Sequence, residues 1–348
     1  MINLVVGTIK GGFVFTSDAA RREWKLVREI FPGWTVTAVA RTPSGRYLAG
    51  TGSFVYGATV QSSRDLEHWE QAAQSPAFPE GSDRRLDQIW CFNASGDRIY
   101  SGVSEAGLFF SDDDGDHWSP VDGLNEHETR SDWIPGFGGL CAHAVLVDRN
   151  NPERLWCGIS AVGVFRSDDG GDTWTPKNEG VTPAVPDALH GIGRCVHGLA
   201  IDPQNANRIF RQDHMGMYRT LDGADSWEKT ETGLPSGFGF PIRRDDRTGT
   251  LFVFPQESGE YRMPPGRTFQ VYRSRSDGDS WEPAGSGPAS YAGVLRGAMA
   301  VDSLAPCGVY VGTTSGTVHI SPDAGDSWII LPFTLPRVLC VESFVESP

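Results

Sequence analysis

Residues 111–118 read SDDDGDHW, a stretch in which four aspartates surround a glycine. A calcium loop of the EF-hand type needs oxygen ligands at positions 1, 3, 5 and 12, with glycine at position 6. If Gly115 is the sixth position, the first and twelfth are Phe110 and Val121, and neither side chain can bind calcium. The apolar residues before the stretch predict a strand, not a helix. The stretch therefore favours a structural turn over a calcium site.

The same pattern recurs along the chain as Ser, any residue, Asp, any residue, Gly, any two residues and Trp. SDDGGDTW (167–174) and SPDAGDSW (321–328) keep every position. Ala224 replaces the glycine in TLDGADSW (220–227), and Ser276 replaces the aspartate in SRSDGDSW (274–281). SSRDLEHW (62–69) is interpreted as keeping only its first serine and its tryptophan, and TSDAARREW (16–24) has one extra residue. The seven tryptophans lie at positions 24, 69, 118, 174, 227, 281 and 328.

Each copy is preceded by short runs rich in Val, Ile, Phe, Tyr and Trp and separated by Gly, Pro, Asn and Asp, which predicts strands joined by tight turns. Examples are TVTAVAR, RIYSGVS, AHAVLVD and GVYVGTT. Every unit reads as four strands, and the spacing of the units is typical of propeller blades. The sequence therefore predicts an all-β fold, with residues 1–348 forming a single seven-bladed β-propeller of four-stranded blades.

The first unit lacks its innermost strand, because the chain begins in the pattern of a second strand. The stretch PRVLCVESFV (336–345) is not followed by another copy of the turn, and its strand at 338–345 is expected to complete the first blade. N- and C-terminal strands that share a blade would close the ring and remove exposed sheet edges.

The turn resembles the Asp-box (BNR) repeat of sialidases, sortilin-type receptors, some glycoside hydrolases and photosystem assembly factors, and the chain is similar to bacterial sialidase-like proteins. The resemblance implies that the turn lies far from any active site. Sialidases of this fold have six blades and an Arg-Ile-Pro motif, whereas this chain reads GTIKGG with Lys10 where the arginine belongs. A true sialidase is therefore not expected. Seven-bladed relatives include xyloglucan-type hydrolases, which use two carboxylates, and ulvan-type lyases, which use His, Tyr and Arg.

The formal net charge is −14, which argues against binding nucleic acid, since that needs basic patches. The chain contains no apolar run long enough to span a membrane and no visible secretory leader. Its six cysteines lie mostly in apolar strands and are expected to be reduced, which predicts a cytoplasmic protein.

Long loops are expected at one face of the propeller, at 120–139, 176–193 and 255–270, and long loops commonly carry recognition sites. Aromatic side chains in this region suit a sugar-like or flat ligand, although the same rings could simply pack the loops. The predicted aromatic binding residues are Trp34, Tyr56, Trp90, Trp133 and Tyr261. Arginines near the same mouth would bind an anion, and these are Arg130, Arg194 and Arg296, with Arg262 close by.

CAH (141–143) and CVH (195–197) occupy matching places before two aspartates, so His143 and His197 are expected at equivalent positions near the channel. With His214 they could bind zinc or manganese, although the sequence requires no cofactor. Alternatively, His143 or His197 would serve as a catalytic base, with Tyr291 or Tyr261 as proton donor. Glu257 is the predicted catalytic carboxyl, chosen among acids that spacing does not distinguish: Glu105, Asp132, Asp213, Glu257 and Glu342.

Three functions stay open at this point. One is a glycosidase- or lyase-like enzyme acting on a small anionic or sugar-like substrate. The second is a non-catalytic scaffold that binds a small protein partner or its tail. The third is a metal-dependent enzyme that uses the channel histidines.

Overall fold

The computed structural model describes residues 1–184 and 191–346. Within those ranges the chain forms seven four-stranded antiparallel sheets, which together make a seven-bladed β-propeller. Helix is confined, in this described part, to one turn of α-helix, α1 (Asp122–Asn125), and two 3-10 turns at Arg130–Asp132 and Pro265–Arg267. The predicted fold class is confirmed.

The chain divides into two compact units. The first contains residues 1–36, 210–219 and 229–348, and the second contains 37–209 and 220–228. Three complete sheets lie in the first unit: β28 (Val338–Val345), β1 (Ile2–Thr8), β2 (Gly11–Ser17), β3 (Lys25–Ile30); β20 (Gly239–Arg244), β21 (Leu251–Pro255), β22 (Val271–Ser274), β23 (Glu282–Ala284); and β24 (Met299–Val301), β25 (Val309–Gly312), β26 (Val318–Ser321), β27 (Ile329–Ile330).

Three further sheets lie in the second unit, except for the first two residues of β4: β4 (Thr35–Arg41), β5 (Tyr47–Ser53), β6 (Gly57–Ser63), β7 (Trp69–Gln71); β8 (Ile89–Ser95), β9 (Arg98–Val103), β10 (Leu108–Ser111), β11 (Ser119–Pro120); and β12 (Ala142–Val147), β13 (Leu155–Ile159), β14 (Gly163–Ser167), β15 (Thr175–Pro176). The boundary between the units passes through the remaining sheet: β16 (Gly198–Asp202), β17 (Asn205–Gln212), β18 (Met217–Thr220), β19 (Glu228–Lys229). No helix in the described ranges is long and apolar enough to cross a membrane.

Strand β28 pairs antiparallel with β1, in a register that joins Ile2 to Val345 and Val6 to Val341. It therefore supplies the innermost strand of the first sheet, as the sequence predicts. Side chains from both strands are buried, among them Leu4, Val338 and Val341. Burial of this apolar surface stabilises the closure of the ring.

The SDDDGDHW stretch is a hydrogen-bonded turn between β10 and β11. Asp113 Oδ1 accepts hydrogen bonds from the Ser111 hydroxyl at 2.8 Å, from the Asp116 N–H at 3.1 Å and from the His117 N–H at 2.9 Å. Ser111 Oγ accepts the N–H of Gly115 at 2.9 Å, and that glycine has a φ of 90°. The aspartate therefore satisfies backbone N–H groups that the turn would otherwise leave without partners.

The weaker copies keep this geometry with different residues. In SSRDLEHW the serine of the turn is Ser63 and the aspartate is Asp65, whose Oδ1 accepts the N–H groups of Glu67 and His68 at 2.8 Å each. The interpretation that only Ser62 and Trp69 persist was wrong, because this turn is one residue shorter. In SRSDGDSW the hydroxyl of Ser276 replaces the carboxylate and accepts the Ser280 N–H at 3.1 Å.

Five of the seven repeat tryptophans are anchored in one of two ways. Trp118 and Trp174 donate their indole N–H to the glycine carbonyl of their own turn, each at 3.0 Å. Trp227, Trp281 and Trp328 instead donate to a carbonyl of the preceding sheet region, at 2.8–3.0 Å. All six cysteines are free thiols, and four of them are buried.

Candidate functional site

Consecutive antiparallel strands bring two kinds of loop to the same edge of each sheet: the turn between its second and third strands, and the connection to the next sheet. In the first unit the segments at this edge include residues 256–270, 285–298, 313–317 and 331–337. The longest follows β21 and coincides with the predicted loop at 255–270. The predicted loop at 176–193 includes residues 185–190, which lie outside the described residues.

These segments enclose a cavity of about 240 Å³, called here the Arg262 cavity. Its lining residues combine aromatic, amide, hydroxyl and guanidinium groups: Phe240, Gln256, Tyr261, Arg262, Tyr291, Gly293, Leu295, Thr314 and Arg337. Tyr261 and Tyr291, both predicted from the sequence, are thus brought together. Their rings are 59% and 71% exposed, so both are accessible to a ligand.

Two exposed guanidinium groups give the cavity its charge. Arg262 is an exposed residue that donates its Nε–H to the Gly259 carbonyl at 2.9 Å. Among residues 1–184 and 191–346, no carboxylate forms an ion pair with Arg262 or Arg337. In a chain of net charge −14, two cations without acidic partners at one cavity favour an anionic ligand.

Phe240 forms the aromatic floor of the cavity. The guanidinium carbon of Arg262 lies 5.4 Å from the centroid of this ring, and that of Arg296 lies 4.8 Å away. Both contacts are within the range of cation–π attraction. Arg296, a predicted anion-binding residue, packs on Phe240 and is not part of the lining of the cavity.

His214 stands in the turn after β17, close to the Arg262 cavity. Its ring packs against Phe238 with centroids 5.3 Å apart, and it leaves no room for a side chain at Gly259. Desolvation lowers the pKa of His214, and the positive charge of Arg262 lowers it further. A neutral imidazole here can accept a proton, whereas the nearby positive charge disfavours a metal cation.

Glu257 lies on the same loop but outside the lining of the cavity. Its carboxylate pairs with Arg267 at 2.5 Å. The predicted catalytic role of Glu257 stays a prediction.

Two other acids have raised pKa values. Burial raises the pKa of Asp213 to about 6, against the opposing charge of Arg211. Burial raises the pKa of Glu342 to about 7, although Arg243 lies 3.9 Å away and its charge acts in the opposite direction. About a third of the Glu342 side chain is accessible. Raised carboxyl pKa values are common at functional sites, but neither acid lines the Arg262 cavity.

The predicted catalytic histidines belong to the second unit. His143 lies in β12 and is buried, with its ring 6.2 Å from that of Trp90. His197 is also buried and stands one residue before β16, and it precedes Asp202 by the same five residues that separate His143 from Asp148. Their catalytic roles stay predictions.

The remaining predicted binding residues differ in exposure. Trp133 is 6% exposed and packs in the core of the second unit, and Arg130 stacks on it with the guanidinium carbon 4.8 Å from the ring centroid. Arg194 donates to the Ile192 carbonyl at 2.6 Å. Tyr56 is 72% exposed at a loop tip, and Trp34 is partly exposed in the connection before β4. These geometries favour loop packing for Arg130, Trp133 and Arg194, and leave Tyr56 accessible.

Possible metal ligands cluster elsewhere. In the described ranges, two groups of three candidate ligands have their atoms within 4.8 Å of one another: Asp65, Glu67 and His68, and Asp113, Asp116 and His117. Both groups lie in the repeated turns, where the aspartates already accept backbone N–H groups. Neither group contains His143, His197 or His214, and the predicted site for zinc or manganese stays a prediction.

Sequence reasoning missed Phe240, Gln256, Leu295, Thr314 and Arg337 as parts of the cavity. Arg337 directly precedes the strand that completes the first blade, so its place beside the 256–270 loop depends on ring closure. Its position directly before the predicted closing strand at 338–345 is the sequence signal that could have singled out Arg337.

No protein-family profile matches the chain. The chain is 24% identical over 264 residues to an oligoxyloglucan-reducing end-specific xyloglucanase from Emericella nidulans, which covers 66% of this chain and 30% of that protein. It is 31% identical over 116 residues to a "Probable oligoxyloglucan-reducing end-specific xyloglucanase" from Neosartorya fischeri, covering 33% of this chain and 12% of that protein. The matches thus span less than a third of either curated relative.

Solved structures share the fold at low identity. An ancestral GH74 enzyme has a TM-score of 0.57 at 14% identity, over 89% of this chain and 38% of that chain. YCF48 bound to D1 peptide has a TM-score of 0.53 at 14% identity, over 85% of this chain and 82% of that chain. A functionally unknown protein from Desulfotomaculum acetoxidans has a TM-score of 0.58 at 11% identity, over 97% of this chain and 98% of that chain. These likenesses concern the fold alone.

Proposed function

We infer that the protein binds a small anionic, sugar-like substrate in the Arg262 cavity and acts on it as a carbohydrate-active enzyme. The observation that carries this proposal is the pair of guanidinium groups, Arg262 and Arg337, at one cavity with no acidic partner among the described residues. Two tyrosines beside them offer flat faces for a sugar ring and hydroxyls for hydrogen bonds. The weak similarity to xyloglucanases supports a glycosidase-like function at a coarse level.

The lining favours β-elimination over hydrolysis. Hydrolysis of a glycosidic bond commonly uses two carboxyl groups on either side of it, and no described lining residue carries one. Elimination from a uronate instead needs its carboxylate neutralised, which two arginines would do. A base then removes the proton on C5, the bond from C4 to the glycosidic oxygen breaks, and a donor protonates that oxygen. The proposed base is His214, which lies beside the lining of the cavity against Gly259, and the proposed donor is the Tyr291 hydroxyl.

The test is to incubate the protein with a panel of acidic and neutral oligosaccharides. Elimination is followed by the ultraviolet absorbance of the unsaturated uronate, and hydrolysis by released reducing ends. We expect elimination with uronate-containing chains, and weaker substrate binding in Arg337→Met by about 10- to 100-fold, the scale of a lost charged hydrogen bond. Arg337→Lys should recover part of this loss. Arg64→Met, which changes an exposed arginine in the second unit, is the control.

Xyloglucan fragments and other neutral chains are the decisive comparison. The anion-binding proposal is wrong if neutral chains bind as tightly as uronates and Arg337→Met leaves the affinity for uronates unchanged. Release of reducing ends without unsaturated product would replace elimination with hydrolysis.

A second candidate is a peptide-binding scaffold. It is favoured by the exposed apolar side chains of Phe54, Tyr56 and Phe137 in the second unit, at 99%, 72% and 101% exposure. Exposed apolar groups of this kind mark interaction surfaces in many proteins. The test is to identify captured peptides by mass spectrometry and measure their affinity for the Phe54→Ser/Phe137→Ser variant. Unchanged affinity would rule out this surface.

A further inference from the structure

A second pocket adjoins the Arg262 cavity on the same side of the first unit. It has a volume of about 420 Å³ and is called here the His319 pocket. Tyr291 and Thr314 line both spaces, so the two share a border. This volume lies in the range of about 300–1,000 Å³ that is typical of ligand sites, whereas the Arg262 cavity is smaller.

The His319 pocket carries no charge at neutral pH. The ring of His319 is buried and stacks flat on Phe269, with centroids 3.7 Å apart and planes inclined by 8°. Desolvation lowers the pKa of His319 to about 4, so the imidazole is neutral. None of the other described lining residues is an acid, an arginine or a lysine.

The pocket instead offers neutral hydrogen-bonding groups. Thr317 Oγ1 lies 3.3 Å from His319 Nε2, and Ser315 Oγ lies 2.9 Å from Thr313 Oγ1. His319 Nδ1 is buried, so the hydroxyls of the lining residues are the groups that the pocket offers. Hydroxyls can rotate to donate or accept, so this set suits a ligand that presents several hydroxyl groups. Ile330 adds an apolar wall, as the faces of a sugar ring require.

We propose that the His319 pocket binds an uncharged sugar unit that is linked to the anionic unit held in the Arg262 cavity. The ligand is then an acidic oligosaccharide, with its carboxylate at Arg262 and Arg337 and its neutral unit against Thr317 and His319. This inference rests on the proposed function and adds the orientation of the ligand, with its anionic unit in the Arg262 cavity and its neutral unit in the His319 pocket. Tyr291, which borders both spaces, would contact the linkage between the two units.

The asymmetry of charge fixes this direction. A carboxylate placed in the His319 pocket would lose its hydration without gaining a cation, which is costly. In the Arg262 cavity the same carboxylate gains two guanidinium groups. The neutral unit has the opposite preference, because it needs volume and hydroxyl partners more than charge.

The experiment is calorimetric titration with two probes, D-glucuronate and a disaccharide in which glucuronate is linked to xylose. We expect the wild-type protein to bind the disaccharide at least about tenfold more tightly, which corresponds to about 1.4 kcal/mol. Ala289→Trp should fill the His319 pocket and reduce the affinity for the disaccharide to that of D-glucuronate, without changing the latter. Ser286→Trp, an exposed position on the same loop outside the lining, is the matched control. Thermal melting checks that both variants fold.

The outcomes separate the inference from the proposed function. The inference is wrong if the wild-type protein binds both probes with equal affinity. If Arg337→Met then weakens the binding of both probes, the proposed function of the Arg262 cavity is still supported. An equal effect of Ala289→Trp on both probes also defeats the inference. If D-glucuronate does not bind, or Arg337→Met does not weaken it, the proposed function and the inference both fail. A shift of the His319 ring resonances with the disaccharide alone supports the inference.

Discussion

The guanidinium of Arg21 donates two hydrogen bonds to the carboxylate of Asp302, at 3.1 and 2.9 Å, and both side chains are buried. Arg21 lies in the turn between β2 and β3, whereas Asp302 directly follows β24. The same carboxylate accepts the Tyr310 hydroxyl at 2.7 Å and the Gly308 N–H at 2.8 Å. This network joins the first sheet to the β24–β27 sheet and gives both oxygens of the Asp302 carboxylate hydrogen-bond partners, whereas Nε of Arg21 has none among the described residues.

Removal of one partner from this ion pair should destabilise the protein strongly. Asp302→Ala leaves a buried guanidinium without its counter-charge, and such changes typically cost about 3–5 kcal/mol. Urea denaturation measures the loss of unfolding free energy. Arg22→Met, at the exposed neighbouring residue, is the control and should change stability by less than about 0.5 kcal/mol. Arg21→Met and the double variant complete the test. If the double variant loses as much unfolding free energy as the two single variants together, the two residues are not coupled.

Ala224→Gly should stabilise the protein. Ala224 occupies the glycine position of its turn with a φ of 79°, a conformation that costs a residue with a β-carbon about 1–2 kcal/mol. Glycine also loses more entropy on folding, so the expected gain is about 0.5–1 kcal/mol. The matched change is Gly171→Ala, at a φ of 105°, which should destabilise. A denaturation midpoint that falls in Ala224→Gly would contradict this account.

The repeated turns should make the protein sensitive to acid. Desolvation opposes ionisation of Asp113, but hydrogen bonds from His117, Ser111 and Asp116 outweigh it and lower the pKa to about 2. Because the folded pKa lies below the unfolded value of about 3.9, this contribution to stability is complete above about pH 4 and is lost as the pH falls towards 2. Asp113→Asn keeps an acceptor oxygen and should flatten this dependence. Asp97→Asn is the control, and equal slopes for the two variants would contradict the prediction.

Glu342 should have the opposite effect of pH on stability. Its folded pKa of about 7 lies above the unfolded value of about 4.3, so its contribution is fully present below about pH 4 and is lost as the pH rises through 7. Glu342→Gln should therefore be more stable than wild type near pH 8, and the difference should shrink as the pH falls below 7 and vanish near pH 4. Denaturation midpoints at the two pH values measure this. Glu29→Gln, at an exposed position, should show no such difference.

The fold could be predicted because its signals are local and repeated. The Asp113 turn and the tryptophan that follows it depend on residues within one octapeptide, and closure followed from counting strands in the first unit. The shorter turn at Ser63 escaped detection because a carboxylate can hold the same N–H groups with one residue fewer, and residue spacing does not reveal this.

The site was less predictable, because it depends on which loops meet. Tyr261 and Tyr291 were identified from residue type and loop position, but Arg337 and Gln256 join them only through packing between sheets. Trp133 was predicted to bind a ligand because it is an aromatic residue on a long loop, and yet it lies in the core. Sequence alone does not indicate whether an aromatic ring on a long loop turns inward or outward.

The pairing of β28 with β1 also has a consequence for biosynthesis. Strands β1, β2 and β3 leave the ribosome before β28, and their sheet is completed only when residues 338–345 have been made. Until then β1 presents an unpaired edge, a known route to aggregation, while more than 300 residues are still being added. The slow step of folding is therefore expected to be this long-range pairing, since contacts distant in sequence form late.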